Sequence, residues 1–168
     1  IQATGMGGPS AAIILTELIA LGARAAVRVG TCGALDHGLA LGDLVIAEAA
    51  LSHDGTSRAL GAGERVAADR DLTAGLAHNA RKARVGPVVS VDLFYEPSPP
   101  PYPPDALAVE MEAAALFSVG AAAAVPTACI LTVSDTFDGG GQRRRIEDEQ
   151  LMRCAELMGG AALAALGG

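Results

Sequence analysis

The sequence predicts an α/β protein, a three-layer αβα sandwich around a mixed, largely parallel sheet. Three observations predict it. Strand-like apolar runs alternate with helical ones along the whole chain, the pattern of crossover connections. The 168 residues suffice for one domain with its own core. No internal repeat and no break in composition marks a second unit, so residues 1–168 are read as a single domain.

The elements follow in order. "IQAT" reads as the end of a strand and "GMGG" as a tight turn. Pro9 suits a first helical position, and Ile13, Ile14, Glu17, Leu18 and Leu21 recur at helical spacing up to Gly22. "AAVRV" is a short strand ending in the turn "GTCGA". "GDLVIAEAAL" is a second strand, and "HDGTSRALGAGE" is loop-like. "DLTAGLAHNARKA" reads as a helix and "RVGPVVSVDLF" as a strand.

"YEPSPPPYPPD" holds six prolines and cannot form a regular helix, so it is read as a stiff connection. A helix starts near Glu110 in "LAVEMEAAALFSVGAAA". "PTACILTVSD" is a strand, and the stretch from Arg143 onward is a closing helix, bent at Gly159-Gly160.

Composition excludes some functions. The net charge of −7 argues against a general nucleic-acid or membrane surface. Three cysteines at unrelated spacings, with no CxxC pair, give no zinc signature and suit a reducing, cytoplasmic setting. No run is long and apolar enough to span a bilayer, and the chain opens without a signal-peptide layout. His37, His53 and His78 show no ligand spacing, so no metal is expected.

In α/β sheets ligands bind beyond the carboxyl ends of strands, and several such ends carry unusual chemistry. Arg28 sits in an apolar strand, where an unpaired charge is costly. With the hydroxyl of Thr31 and the amides of a glycine-flanked turn, it suits a phosphate. Phe94 can stack on a flat ring. Glu112 can accept hydrogen bonds from vicinal hydroxyls while Met111 covers the apolar face of a sugar. Asp135 ends a buried strand and can act as a general acid, or as a hydrogen-bond partner for a base. Each residue alone also has a structural explanation: solvent-reaching Arg, core Phe, helix-capping acids. Taken together they describe a nucleoside beside a phosphate.

Six blocks in order, "GMGGPSAAI", "VRVGTCGAL", "GDLVIAEAA", "SVDLFYEP", "AVEMEAAALF" and "TVSDTF", resemble the nucleoside phosphorylase family of bacterial purine nucleoside and uridine phosphorylases. The resemblance implies cleavage of a ribonucleoside by phosphate into free base and ribose 1-phosphate, with no cofactor beyond that co-substrate. It implies phosphate binding by Arg28, Gly30 and Thr31, and ribose binding by Glu110, Met111 and Glu112. Cys32, Gly33, Phe94, Val109 and Ser134 would line the base pocket. Asp135 would serve N7 of a purine, assisted by an arginine chosen as Arg144 from Arg143, Arg144 and Arg145.

The resemblance also implies a homo-oligomer, built from dimers and reaching a hexamer. "VSDTF" and "DLFYEP" are similar to the purine branch, whereas "GMGGPS" and "HDGTS" lean towards uridine. The family begins with a further segment holding another phosphate loop and residues lent to a neighbouring subunit. The sequence is expected to lack that segment. The alternatives are a uridine phosphorylase, a nucleoside hydrolase and a non-catalytic nucleoside-binding protein.

Overall fold

The computed structural model describes residues 1–95, 101–137 and 142–167. In chain order the elements are α1 (Gly8–Ala20), β1 (Ala26–Ala34), β2 (Leu44–His53), α2 (Gly55–Ala59), β3 (Arg65–Ala67) and α3 (Arg70–Asn79). Then come β4 (Arg84–Val91), β5 (Ala108–Glu110), α4 (Ala113–Ala123), β6 (Thr127–Phe137), β7 (Arg143–Arg145) and α5 (Asp148–Leu166).

The fold is mixed α/β, as the alternation of patterns predicts. The strand order is β3-β2-β4-β5-β1-β6-β7. The two longest pairings, β1 with β6 and β2 with β4, are parallel. A further antiparallel pairing joins β2 to β6, setting Leu44, Val45 and Ile46 opposite Thr132, Leu131 and Ile130. That contact turns β2, β4, β5, β1 and β6 into a ring. The expected sandwich assumed an open sheet, and this closure departs from it. The physical reason is the length of β6. One edge of its 11 residues serves β1, while the other is shared by β2 and, beyond Ser134, by β7.

Strand alternation feeds two cores. Val45, Ala47, Cys129, Leu131 and Val133 join Ala113, Ala114 and Phe117 of α4 in one. Ile46, Ala128 and Ile130 join Leu72 and Leu76 of α3 and Met158, Ala161 and Ala162 of α5 in the other. The abundant alanine keeps α4 slim enough for every residue from Ala113 to Gly120 to be buried.

Several local expectations are corrected. Ile1–Thr4 lies in no strand. Helix α1 buries Gly8, Ala11 and Leu15, not Ile13 and Leu21, which are exposed, because Ala11 and Leu15 meet Leu116 and Val119 of α4. The supposed turn "GTCGA" continues β1. Part of "HDGTSRALGAGE" forms α2, started by the Asp54 carboxylate accepting from the Ser57 N–H at 2.7 Å. Glu110 ends a strand rather than starting a helix. Arg143–Arg145 forms an edge strand, and α5 runs unbroken through Gly159-Gly160. Residues 96–100 of the proline run and the glycines 139–141 lie outside the described residues.

Candidate active site

Strand β1 delivers Arg28 into the protein with only 16% of its side chain exposed. Two carboxylates meet it there. Its Nη2 donates to Glu112 Oε2, and its Nε lies 3.4 Å from Glu110 Oε2. Burial opposes the charge on Arg28, but the Glu110 and Glu112 carboxylates outweigh it and hold the guanidinium pKa above its ordinary value. The guanidinium lies over Gly30, whose missing side chain leaves it room. The other oxygen of Glu112, Oε1, accepts from the Gly7 N–H at 2.5 Å, in the glycine turn before α1.

Glu110 is enclosed completely, with 0% side-chain exposure. Its oxygens accept from the N–H of Glu112 at 2.8 Å, the N–H of Ala113 at 2.9 Å and the hydroxyl of Ser90. Those amides are orphan donors at the start of α4, so Glu110 holds that helix end in place. Burial pushes the pKa of Glu110 up, while Arg28 and the hydrogen bonds from Ser90 and Glu112 pull it back.

A second cluster surrounds Asp135. Its Oδ1 accepts from Arg143 Nε at 2.6 Å, and its Oδ2 accepts from the Ser134 hydroxyl at 2.7 Å. The Arg143 guanidinium also stands 4.9 Å from the centre of the Phe94 ring. Phe94 is 56% exposed, and the Tyr95 ring stands nearly perpendicular to it with centroids 4.8 Å apart.

Strand register ties the two clusters together. Val89 of β4 lies opposite Val109 of β5, Val109 opposite Gly33 of β1, and Gly33 opposite Asp135 of β6. Asp135 in turn faces Arg145 of β7. Cys32, beside Gly33, feels both clusters: burial, then Glu110, push its thiol up to about 12, Arg28 draws it down and Asp135 adds to the rise.

The sequence matches the family model described as the phosphorylase superfamily over residues 1–166. The chain belongs to the phosphorylase superfamily. It is 36% identical over 161 residues to a guanosine phosphorylase of Halorubrum lacusprofundi, covering 90% of this chain and 66% of that protein. A DeoD-type purine nucleoside phosphorylase of Shewanella loihica is 38% identical over 146 residues, 80% of this chain and 62% of that one. A uridine phosphorylase of Treponema pallidum is 38% identical over 174 residues, 90% and 66% of the two chains. The chain thus spans just under two thirds of the length of these relatives.

Within this phosphorylase-superfamily chain, the residues singled out from sequence divide into three groups. Arg28, Gly30 and Glu112 meet directly, and Gly33, Val109, Ser134, Asp135 and Phe94 gather along or beside the shared row. Glu110 and Met111 are nearby but engaged. Glu110 is sealed under Arg28 and α4, and Met111 packs against the cluster of Leu51, Val89, Val91 and Ala106. Thr31 is the residue not brought in. It lies three positions from Arg28 on a continuous strand and is exposed, on the same alternation as the exposed Val29.

Arg144 pairs in register with Thr136, and Arg143 makes the ion pair with Asp135. The choice of Arg144 as partner is therefore corrected to Arg143. The strand ends also share no single rim, because β1 and β6 run opposite to β2, β4 and β5. The site crosses the sheet instead.

Sequence reasoning missed Gly7 and Ser90, and named Arg143 among three candidates without choosing it. A lone serine inside the apolar run "PVVSV" was the available signal for Ser90. Among the described residues no group of three or more His, Cys, Asp or Glu could hold a metal ion. No described helix is long and apolar enough to cross a membrane.

Proposed function

We propose that this chain carries the phosphorolytic core of a purine nucleoside phosphorylase: a ribonucleoside plus inorganic phosphate gives the free base and ribose 1-phosphate. The observation that supports this most is the buried pairing of Arg28 with Glu112, together with the Asp135 carboxylate held by Arg143 at 2.6 Å. The family and the printed names of the relatives support the reaction class. Asp135 supports a purine, because a carboxylic acid can serve N7 of that ring.

The Arg28 cluster holds one cation and two carboxylates, which opposes a phosphate anion. Two like charges about 4 Å apart repel by about 4 kcal/mol at an effective dielectric of about 20. Phosphate therefore needs Glu112 to leave Arg28, and the vicinal hydroxyls of ribose give Glu112 another partner. Phosphate then takes the guanidinium and attacks C1′ as oxocarbenium character develops on the sugar. The C1′–N9 bond breaks and its electron pair moves onto the purine. A proton taken from solvent passes through Asp135 to N7, and Arg143 and Ser134 stabilise the carboxylate left behind.

In this reading phosphate is the co-substrate and no other cofactor takes part. The enzyme works as a homo-oligomer built from dimers, in the cytoplasm, a setting that suits the free cysteines Cys32, Cys129 and Cys154.

The test incubates the protein with inosine, adenosine, guanosine and uridine, with and without phosphate, and follows base release. Phosphate-dependent release from purine nucleosides is expected. Release without phosphate would identify a hydrolase, and release from uridine alone a uridine phosphorylase. No release under any condition would leave a nucleoside-binding protein.

A further inference from the structure

Ser90 is fully buried in β4, at the register position opposite Glu110 of β5. Its oxygen accepts from the Ala114 N–H at 2.9 Å. An amide can only donate, so the single hydroxyl proton of Ser90 is free to point elsewhere, and it points at Glu110 Oε1. The other oxygen of Glu110 takes the two amides that open α4 and faces Arg28 Nε. Arg28 Nε is buried and has no hydrogen bond of its own, so the nearby Glu110 charge is what compensates it.

We propose that Ser90 is a positioning residue of the site: its hydroxyl keeps Glu110 an acceptor, and Glu110 holds both Arg28 and the turn presenting Glu112. The inference rests on the phosphorylase reading for its effect on activity, but not for the linkage between Ser90 and Glu110. Arg28 and Cys32 approach from β1, Cys129 from β6 and Glu112 from the turn into α4. Arg28 favours the ionised form of Glu110, whereas burial and Glu112 oppose it. Removing the Ser90 hydroxyl removes one of the few groups favouring the carboxylate, so a proton binds Glu110 more readily. A protonated Glu110 offers fewer acceptor positions to the α4 amides and no charge to Arg28.

The experiment compares wild type, Ser90→Ala and Ser90→Thr in two measurements over pH 5.5–8.5. The first is kcat/KM for inosine phosphorolysis. In Ser90→Ala it should fall about tenfold below wild type at pH 6 and return to within about threefold at pH 8.5, the scale of one hydrogen bond to a charged group. Ser90→Thr keeps the hydroxyl and should follow the wild-type profile. The second is the melting temperature against pH. Ser90→Ala should lose more stability relative to wild type at high pH than at low pH, because its Glu110 pKa is higher in the folded state.

A loss of activity and stability that is uniform across pH would make Ser90 a packing residue only and overturn the proposal. If wild type cleaves no nucleoside, the phosphorylase reading fails. The melting profiles then still decide whether Ser90 controls the Glu110 proton, and an unshifted profile rejects that too.

Discussion

The guanidinium of Arg28 occupies the place where a side chain on Gly30 would begin. A Cβ built on Gly30 would stand 1.7 Å from Nη1 and 2.6 Å from Cζ of Arg28. Glycine is required here for room, since its backbone conformation is one any residue adopts. Gly30→Ala should push the guanidinium away from Glu110 and Glu112 and cost about 1–3 kcal/mol, below the cost of deleting a buried partner outright. Chemical denaturation measures it. A variant as stable as wild type, with phosphate binding intact, would show that Arg28 can relocate freely.

Arg28→Met removes the cation paired with two buried acids, Glu110 and Glu112. The loss should be about 3–5 kcal/mol at neutral pH. Its pH dependence has a definite sign. Burial already raises the pKa of Glu110, so folding favours the protonated form. Stability conferred by such an acid is present at low pH and lost as pH rises through the folded-state pKa. Without Arg28 this effect grows, so the gap between variant and wild type should narrow on going from pH 8 to pH 5. A gap that widens in acid would contradict the assignment of Glu110 as the group left uncompensated.

Asp135, Arg143 and Arg144 separate in a three-variant comparison. Asp135→Asn should lower kcat for purine nucleosides by about 10²–10⁴-fold with little change in binding. Arg143→Ala should lower it by about tenfold or more through loss of the contact at 2.6 Å. Arg144→Ala should stay within about twofold of wild type, as ordinary surface substitutions do. A larger effect at Arg144 than at Arg143 would return the assisting role to Arg144.

Helix α4 ends at Ala124 with φ +52°, the left-handed region that an alanine occupies under strain. Ala124→Gly should stabilise the protein by about 0.5–1 kcal/mol, read as a raised melting temperature. A fall in melting temperature would mean that the alanine methyl contributes more by packing than its backbone strain costs.

Patterning along the chain made the α/β class readable, together with most strands and the helices α1, α3, α4 and α5, the last two with shifted starts. Arg28, Glu112 and Asp135 were readable for a different reason: charge inside an apolar run has to be compensated, so each stands out. The closure of the sheet was not readable, because β2–β6 pairing depends on a second use of an edge that no local pattern announces. Which residues of α1 are buried was not readable for a similar reason. Helical spacing marks apolar positions, but the neighbour that arrives decides which of them are covered.

By itself, the amino-acid order determined what each segment could be: period-two and helical runs, glycine turns, and which strands carried a charge at a cost. Only the tertiary structure decided partnerships. It chose Arg143 over Arg144 because β7 sets alternate arginines on opposite sides, and it left Thr31 outside because β1 continues as a strand. It also sealed Glu110 beneath Ser90 and Arg28, since β4, β5 and β1 meet there in register. Residue type is local, whereas the hydrogen bonds and ion pairs that give a charge its task come from segments up to about a hundred positions apart.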